Sequence, residues 1–227
     1  RRLPGGLALL LLLPPPGGAA AVLHGVTLTS TSNVETYTTA SFTPAADDLL
    51  VAFAVVSTTA AAGSMSDSLG GGWTEIATAT KKTSADKLWL FIRNALSTGA
   101  ALTVTMDVTG DAGTGCILFV ALVTGMTRTG SSGAALQFQT QSNTAAGTPA
   151  PAFPASALTG NPTLGLVGSQ DNPAALTPPT NWTERDDTGH ATPASGGEYV
   201  SRDSGFTGTT ITWGSATVTA FGDIIVE

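Results

Sequence analysis

Residues 49–56, LLVAFAVV, form a run of eight apolar residues with no polar face. A run of this length, rich in β-branched and aromatic residues, matches a strand covered on both sides. Further strand-length segments follow at 73–80, 87–93, 101–108 and 115–123, with the Gly/Ser-rich stretch 64–72 read as a loop. Helices have little to work with here. Only 11% of the residues are charged, so the Glu, Lys, Arg and Gln that stabilise helical faces are scarce, while Thr, Ala, Ser and 27 glycines fill the sequence. Short strands at regular spacing, separated by turn residues, point to an all-β fold of the sandwich or barrel type.

The second part of the chain echoes the first. One constant offset sets Trp73-Thr74-Glu75 on Trp182-Thr183-Glu184, Arg93 on Arg202, and Thr98-Gly99 on Thr207-Gly208, with nine identities between segments 73–104 and 182–213 and no gap. Residues 50–53 align with 164–167 and residues 115–119 with 222–226 once loop lengths are adjusted. Two copies are too few for a solenoid and point to a duplicated supersecondary unit. Each copy folds as its own small sandwich, or both give a sheet to one sandwich with a shared core. The small number of large apolar residues in each copy favours the shared core. The expected organisation is an arm over 1–22 followed by a sandwich over 23–227, with pseudo-repeat halves at about 40–125 and 150–227 and segment 130–154 crossing between them.

Segment 1–22 differs from the rest. Arg1-Arg2 leads into an apolar run that includes Leu7, Leu9, Leu10, Leu11, Leu12 and Leu13, followed by Pro14-Pro15-Pro16 and Gly17-Gly18. A basic start, a short apolar stretch and small residues have the pattern of a secretory signal. Seven apolar residues are too few to span a bilayer, which takes about 20 in a helix. The favoured reading is an extended arm whose leucines pack on another subunit or domain.

The order of features resembles a β-sandwich module of tailed-phage virion proteins and bacterial surface proteins. The resemblance is carried by the acidic turn into an apolar strand at Asp47-Asp48-Leu49-Leu50-Val51, by Gly72-Trp73-Thr74 with its echo Asn181-Trp182-Thr183, and by a strand ending in arginine at Leu90-Phe91-Ile92-Arg93. It covers most of residues 40–227. The resemblance implies an antiparallel, jelly-roll-like β-sandwich in an extracellular particle, acting as a capsid decoration or minor capsid subunit. Other virion proteins and further copies of the chain would be its partners. A tail-fibre or adhesin module that binds host glycan is the alternative.

Chemistry is sparse in the sequence. The net charge of −7 opposes nucleic-acid binding, which needs clustered Lys and Arg on phosphates. The single cysteine, Cys116, lies in an apolar run and reads as a small core residue. His24 sits in the N-terminal segment and His190 in the polar stretch 186–190, which reads as a solvated loop. No nucleophile elbow, phosphate-cradling loop or metal-ligand spacing is present, so no catalytic residue, cofactor or metal is assigned. Glu75 and Glu184 are expected to pair with Arg93 and Arg202 at the sheet edge. Asp47-Asp48 and Asp186-Asp187 offer oxygen ligands in turns, though without EF-hand spacing. Trp73 and Trp182 read as equivalent core anchors or, alternatively, as a sugar-stacking platform.

Overall fold

The structure, a computed structural model, describes residues 19–60, 62–81, 86–110, 113–126, 134–171, 176–214 and 217–227. The leucine run of the arm, Leu7 and Leu9 to Leu13, lies outside the described residues. Among those described there is no helix, and the strands form three antiparallel sheets. In chain order they are β1 (Ala21–Ser30), β2 (Thr36–Thr38), β3 (Leu49–Ser57), β4 (Ser64–Asp67), β5 (Trp73–Thr80), β6 (Asp86–Arg93), β7 (Val104–Asp107), β8 (Cys116–Thr124), β9 (Phe138–Asn143), β10 (Thr163–Ser169), β11 (Thr183–Ala191), β12 (Ala194–Arg202) and β13 (Phe221–Val226). The first sheet runs β1-β8-β3-β6-β5, the second β11-β12-β10-β13-β9, and a small third sheet β2-β7-β4.

The layers follow from which faces are apolar. Alternate residues of β3 point in opposite directions. Val51, Phe53 and Val55 meet Leu164, Leu166, Tyr199 and Ile224 of the second sheet in a shared core. Leu50, Ala52, Ala54 and Val56 face the other way, onto Tyr37, Met65, Val104 and Met106 of the small sheet and its flanks. This is why residues 49–56 carry no polar position: the strand is covered on both sides. The second sheet has a third core behind it, where Val167, Val200, Phe221 and Ile225 pack on Phe153, Leu176, Ile211 and Trp213 from irregular segments. The molecule is therefore four layers deep, with the two large sheets in the middle.

Taken in chain order, the two large sheets share one strand order, with β1, β3, β5, β6 and β8 in the places of β9, β10, β11, β12 and β13. A bulge falls between Glu75 and Ala77 in β5 and between Glu184 and Asp186 in β11, so the irregularities obey the same offset as the sequence repeat. Across the shared core β1 lies beside β11 and β5 beside β9, while β8 meets β12 and β6 meets β13. That set of neighbours is the one an approximate twofold axis between the sheets would produce.

Pairing registers correct two of the alignments read from sequence. Val51 pairs with Ile92, and Leu164 with Ser201, the residue that the repeat offset sets on Ile92, so Leu164 takes the place of Val51 and not of Leu50. A one-residue slip matters because it would exchange the two faces of the strand. Similarly Phe53 pairs with Phe119 and Leu166 with Ile224, which moves the β8 and β13 match by two positions and keeps its faces. Three loop assignments also change. Residues 64–67 form β4, the crossing segment contains β9, and the stretch holding Asp186, Asp187 and His190 is β11, an edge strand whose polar residues mimic a loop.

The large sheets do not meet evenly. At one end Gly168, Gly197 and Gly222 lie side by side on β10, β12 and β13. A Cβ on Gly168 would stand 3.0 Å from Val55 Cγ1, one on Gly197 3.0 Å from Phe119, and one on Gly222 3.1 Å from Leu88. Side chains of the first sheet thus fill the space that the glycines leave, and the sheets close together. Lys81 seals this end, its Nζ donating to Ser195 Oγ at 2.8 Å with Asp86 Oδ1 at 3.7 Å. At the opposite end larger residues face each other and the sheets stand apart.

Candidate functional site

The open end holds a cavity of about 300 Å³ between the two large sheets. Leu49, Val51, Ile92 and Val123 form one wall and Leu164, Pro162 and Val226 the other. Leu136 and Leu158 stand at its rim and are 59% and 56% exposed, unusual values for leucine. The polar lining is occupied: Glu227 Oε1 accepts from the Leu158 N–H and from Asn161 Nδ2, both at 2.8 Å, and Gln137 Nε2 donates to Oε2. The cavity therefore offers apolar surface and few free hydrogen-bonding groups. Strand β1 begins at this end, with Ala21 opposite Thr124 and Val22 opposite Val123.

One edge of the sandwich is closed by a polar seam between β1 and β11. Thr27 Oγ1 donates to Asp186 Oδ2, Thr29 and Thr188 hydroxyls lie 3.2 Å apart, and Arg185 and the Val22 N–H both reach Asp203 Oδ1. His24 belongs to this seam, its Nδ1 2.9 Å from the Tyr199 hydroxyl and its Nε2 3.8 Å from Asp186. His190, read from sequence as a solvated loop residue, is instead buried in β11, its Nδ1 2.6 Å from the Pro193 carbonyl. Burial pushes its pKa below the usual imidazole range, with Lys81 acting in the same direction.

Buried carboxyls line up across the rear face of the second sheet. Asp187 is opposite Glu198, Glu198 opposite Val167, and Val167 opposite Asp223. Burial, reinforced by Glu184 and Asp187, pushes Glu198 up to about 8 against the hydrogen bond from Trp213 Nε1. Asp223 is pushed up to about 7 by burial, and Asp187 to about 6 by burial and its acidic neighbours. Such shifts occur at catalytic sites, but Glu198 and Asp223 are fully buried, and Glu198 lies against Trp213 and the Leu176 backbone of the covering segments. Among the described residues no three His, Cys, Asp or Glu side chains converge on a metal position. Asp48 is also committed, accepting from the Ala45 N–H at 2.9 Å across its turn.

The expected ion pairs are replaced by others. Arg93 Nε donates to Asp67 Oδ2 at 2.8 Å, and its Nη1 to the carbonyls of Ala95 and Leu96, whereas Glu75 lies opposite Phe91. Burial alone would raise Asp67. The bonds from Arg93, the Gly71 N–H and the Trp73 indole outweigh it and hold the carboxyl below its ordinary value. Arg202 binds the carbonyls of Ser204 and Gly205, so both arginines hold the turn after their strand. Glu184 lies opposite Val200. Sequence spacing had put Glu and Arg on paired strands, but Arg93 is taken by Asp67 and by turn carbonyls, and Arg202 by the carbonyls of Ser204 and Gly205.

Trp73 and Trp182 are half-buried and belong to different cores. Trp73 packs on the core under the small sheet and donates Nε1 to Asp67 Oδ2 at 2.9 Å; Trp182 packs behind the second sheet, edge-on to Phe206 with ring centroids 5.4 Å apart. The fully buried tryptophans are Trp89 and Trp213. Cys116 is buried and its thiol is raised by burial. Among the described residues no helix is long and apolar enough to cross a membrane. Comparison with protein-family models, curated proteins and solved structures finds no match to this chain.

Proposed function

We propose that this chain is a non-enzymatic structural subunit of a tailed-phage particle, a capsid decoration or minor capsid protein anchored through its N-terminal arm. The observation that carries this reading is the open end of the sandwich. An apolar cavity with exposed leucines at its rim lies where β1 begins, so the root of the N-terminal arm and the apolar surface share one end of the molecule. Two exposed leucines beside an apolar cavity give a partner's aliphatic side chains a place to pack. Polar groups of the seam, the turn-holding arginines and the closed end are engaged in holding the fold, which suits a rigid building block.

A tail-fibre or adhesin role would need exposed aromatic faces on one surface. Trp73 and Trp182 pack against different cores on the two outer sides of the molecule, which favours assembly over glycan stacking. The test is electron microscopy of phage particles labelled through this protein. Regular labelling of the head supports the proposal, labelling confined to fibre tips favours the adhesin, and unlabelled particles overturn both.

A further inference from the structure

We propose that the cavity at the open end is the socket for the leucine run of a second copy of this chain, and that two copies exchange these segments reciprocally to form a closed dimer. The inference deepens the arm-anchored reading above and rests on it.

The chemistry of the socket selects its occupant. Its volume of about 300 Å³ is at the small end for ligand sites, and its two polar residues, Asn161 and Glu227, are bonded to each other. Among the described residues that line it, these side chains are already engaged and do little to orient a metabolite, whereas aliphatic side chains need no such partner. The sequence holds aliphatic side chains at Leu9 to Leu13, shortly before β1 starts beside the cavity wall.

The connection favours a second copy. The proline ring restricts φ, so the sequence Pro14-Pro15-Pro16 suits a stiff spacer between the leucines and β1, and a stiff spacer disfavours folding back into the cavity beside its own root. The root of the arm and the socket lie at the same end, so two copies meeting by their open ends each place an arm in the other. Such a contact uses the same surfaces twice and closes at two copies, whereas a socket at the far end would propagate a filament. The exposed Leu136 and Leu158 would be covered in the same step.

The experiment is sedimentation of the full chain at micromolar concentration. A mass of twice 22.7 kDa is expected. Two paired variants, Leu10→Asp with Leu12→Asp in the arm and Leu136→Glu with Leu158→Glu at the rim, should each weaken dimerisation at least tenfold. The rim positions are exposed, so the monomer should stay folded, read as an unchanged far-UV circular dichroism spectrum. Mixing the two variants should restore a heterodimer, because one intact arm then meets one intact socket. A monomeric wild type overturns the proposal, whether its own arm fills the cavity or nothing does. A dimer that survives either variant, or a mixture that stays monomeric, also overturns it. Since these outcomes are read on the isolated chain, they are separate from the particle labelling that tests the structural role.

Discussion

Glu198 shows how one residue can set the pH behaviour of a core. In the repeat it takes the place of Trp89, on the equivalent strand, and Trp213 takes the place of Val104. The large ring has moved from one side of the core to the other, and its indole caps the carboxyl that replaced it. Because the folded pKa of Glu198 is raised to about 8, the folded state holds a proton that the unfolded chain releases near its ordinary value. Stability is fully present below the unfolded pKa and is lost as pH rises through the folded one. Between pH 6.5 and 8 the loss from this group should be about 2 kcal/mol. Asp223 should contribute in the same direction up to about pH 7. Thermal melts across this range should show the decline, and Glu198→Gln should flatten most of it; a flat wild-type profile would remove the argument. A second residue-scale prediction concerns Asp67. Asp67→Ala leaves Arg93 buried without its carboxylate and should cost about 3–5 kcal/mol in urea denaturation. Glu75→Ala, at the position that sequence spacing had favoured, should cost far less.

At the scale of elements, strands β3, β6 and β8 were legible because their apolar runs are long, and β5 because a β-branched and aromatic stretch follows a Gly-rich turn. β11 was not, since an edge strand with Asp186, Asp187 and Thr188 has the composition of a loop and pairs only through β12. β4 and β9 were hidden for the same reason, being short or polar and held by the sheet they join. The glycines of the second sheet are elements of packing. Gly168 faces Val55 at contact distance, so Gly168→Val should overpack the closed end and cost roughly 1–3 kcal/mol. Combining it with Val55→Ala should recover part of that loss. Simple addition of the two penalties in a double-mutant cycle would mean that the glycine is not there to receive Val55.

At the scale of the whole molecule, two sheets of the same strand order pack with the neighbour pattern of a twofold, and the packing is wedge-shaped. The glycine row shuts one end, and the other keeps the cavity from which β1 leaves. Deleting residues 1–18 removes none of the three cores and should leave a folded, soluble sandwich with an unchanged far-UV circular dichroism spectrum. On the structural-subunit reading the same deletion should abolish incorporation into particles, measured as copies per particle against wild type. Wild-type occupancy with the arm deleted would shift the anchor to the lateral surfaces. Trp213→Ala removes a fully buried ring and should cost about 3–5 kcal/mol, more than Trp182→Ala, whose ring is only half-buried.

The all-β class and the doubly covered β3 were legible in the sequence alone, because composition and an apolar run are local properties that need no partner. Tertiary structure decided the rest. Which carboxylate meets Arg93 depends on β4, a strand hidden in a Gly/Ser-rich stretch, whose last residue Asp67 is brought against the guanidinium. Whether His190 is wet or dry depends on the edge strand that holds it. The cavity is lined from both large sheets and the glycine row meets Val55, Phe119 and Leu88 across them, so both features arise only where two separate halves of the chain pack against each other.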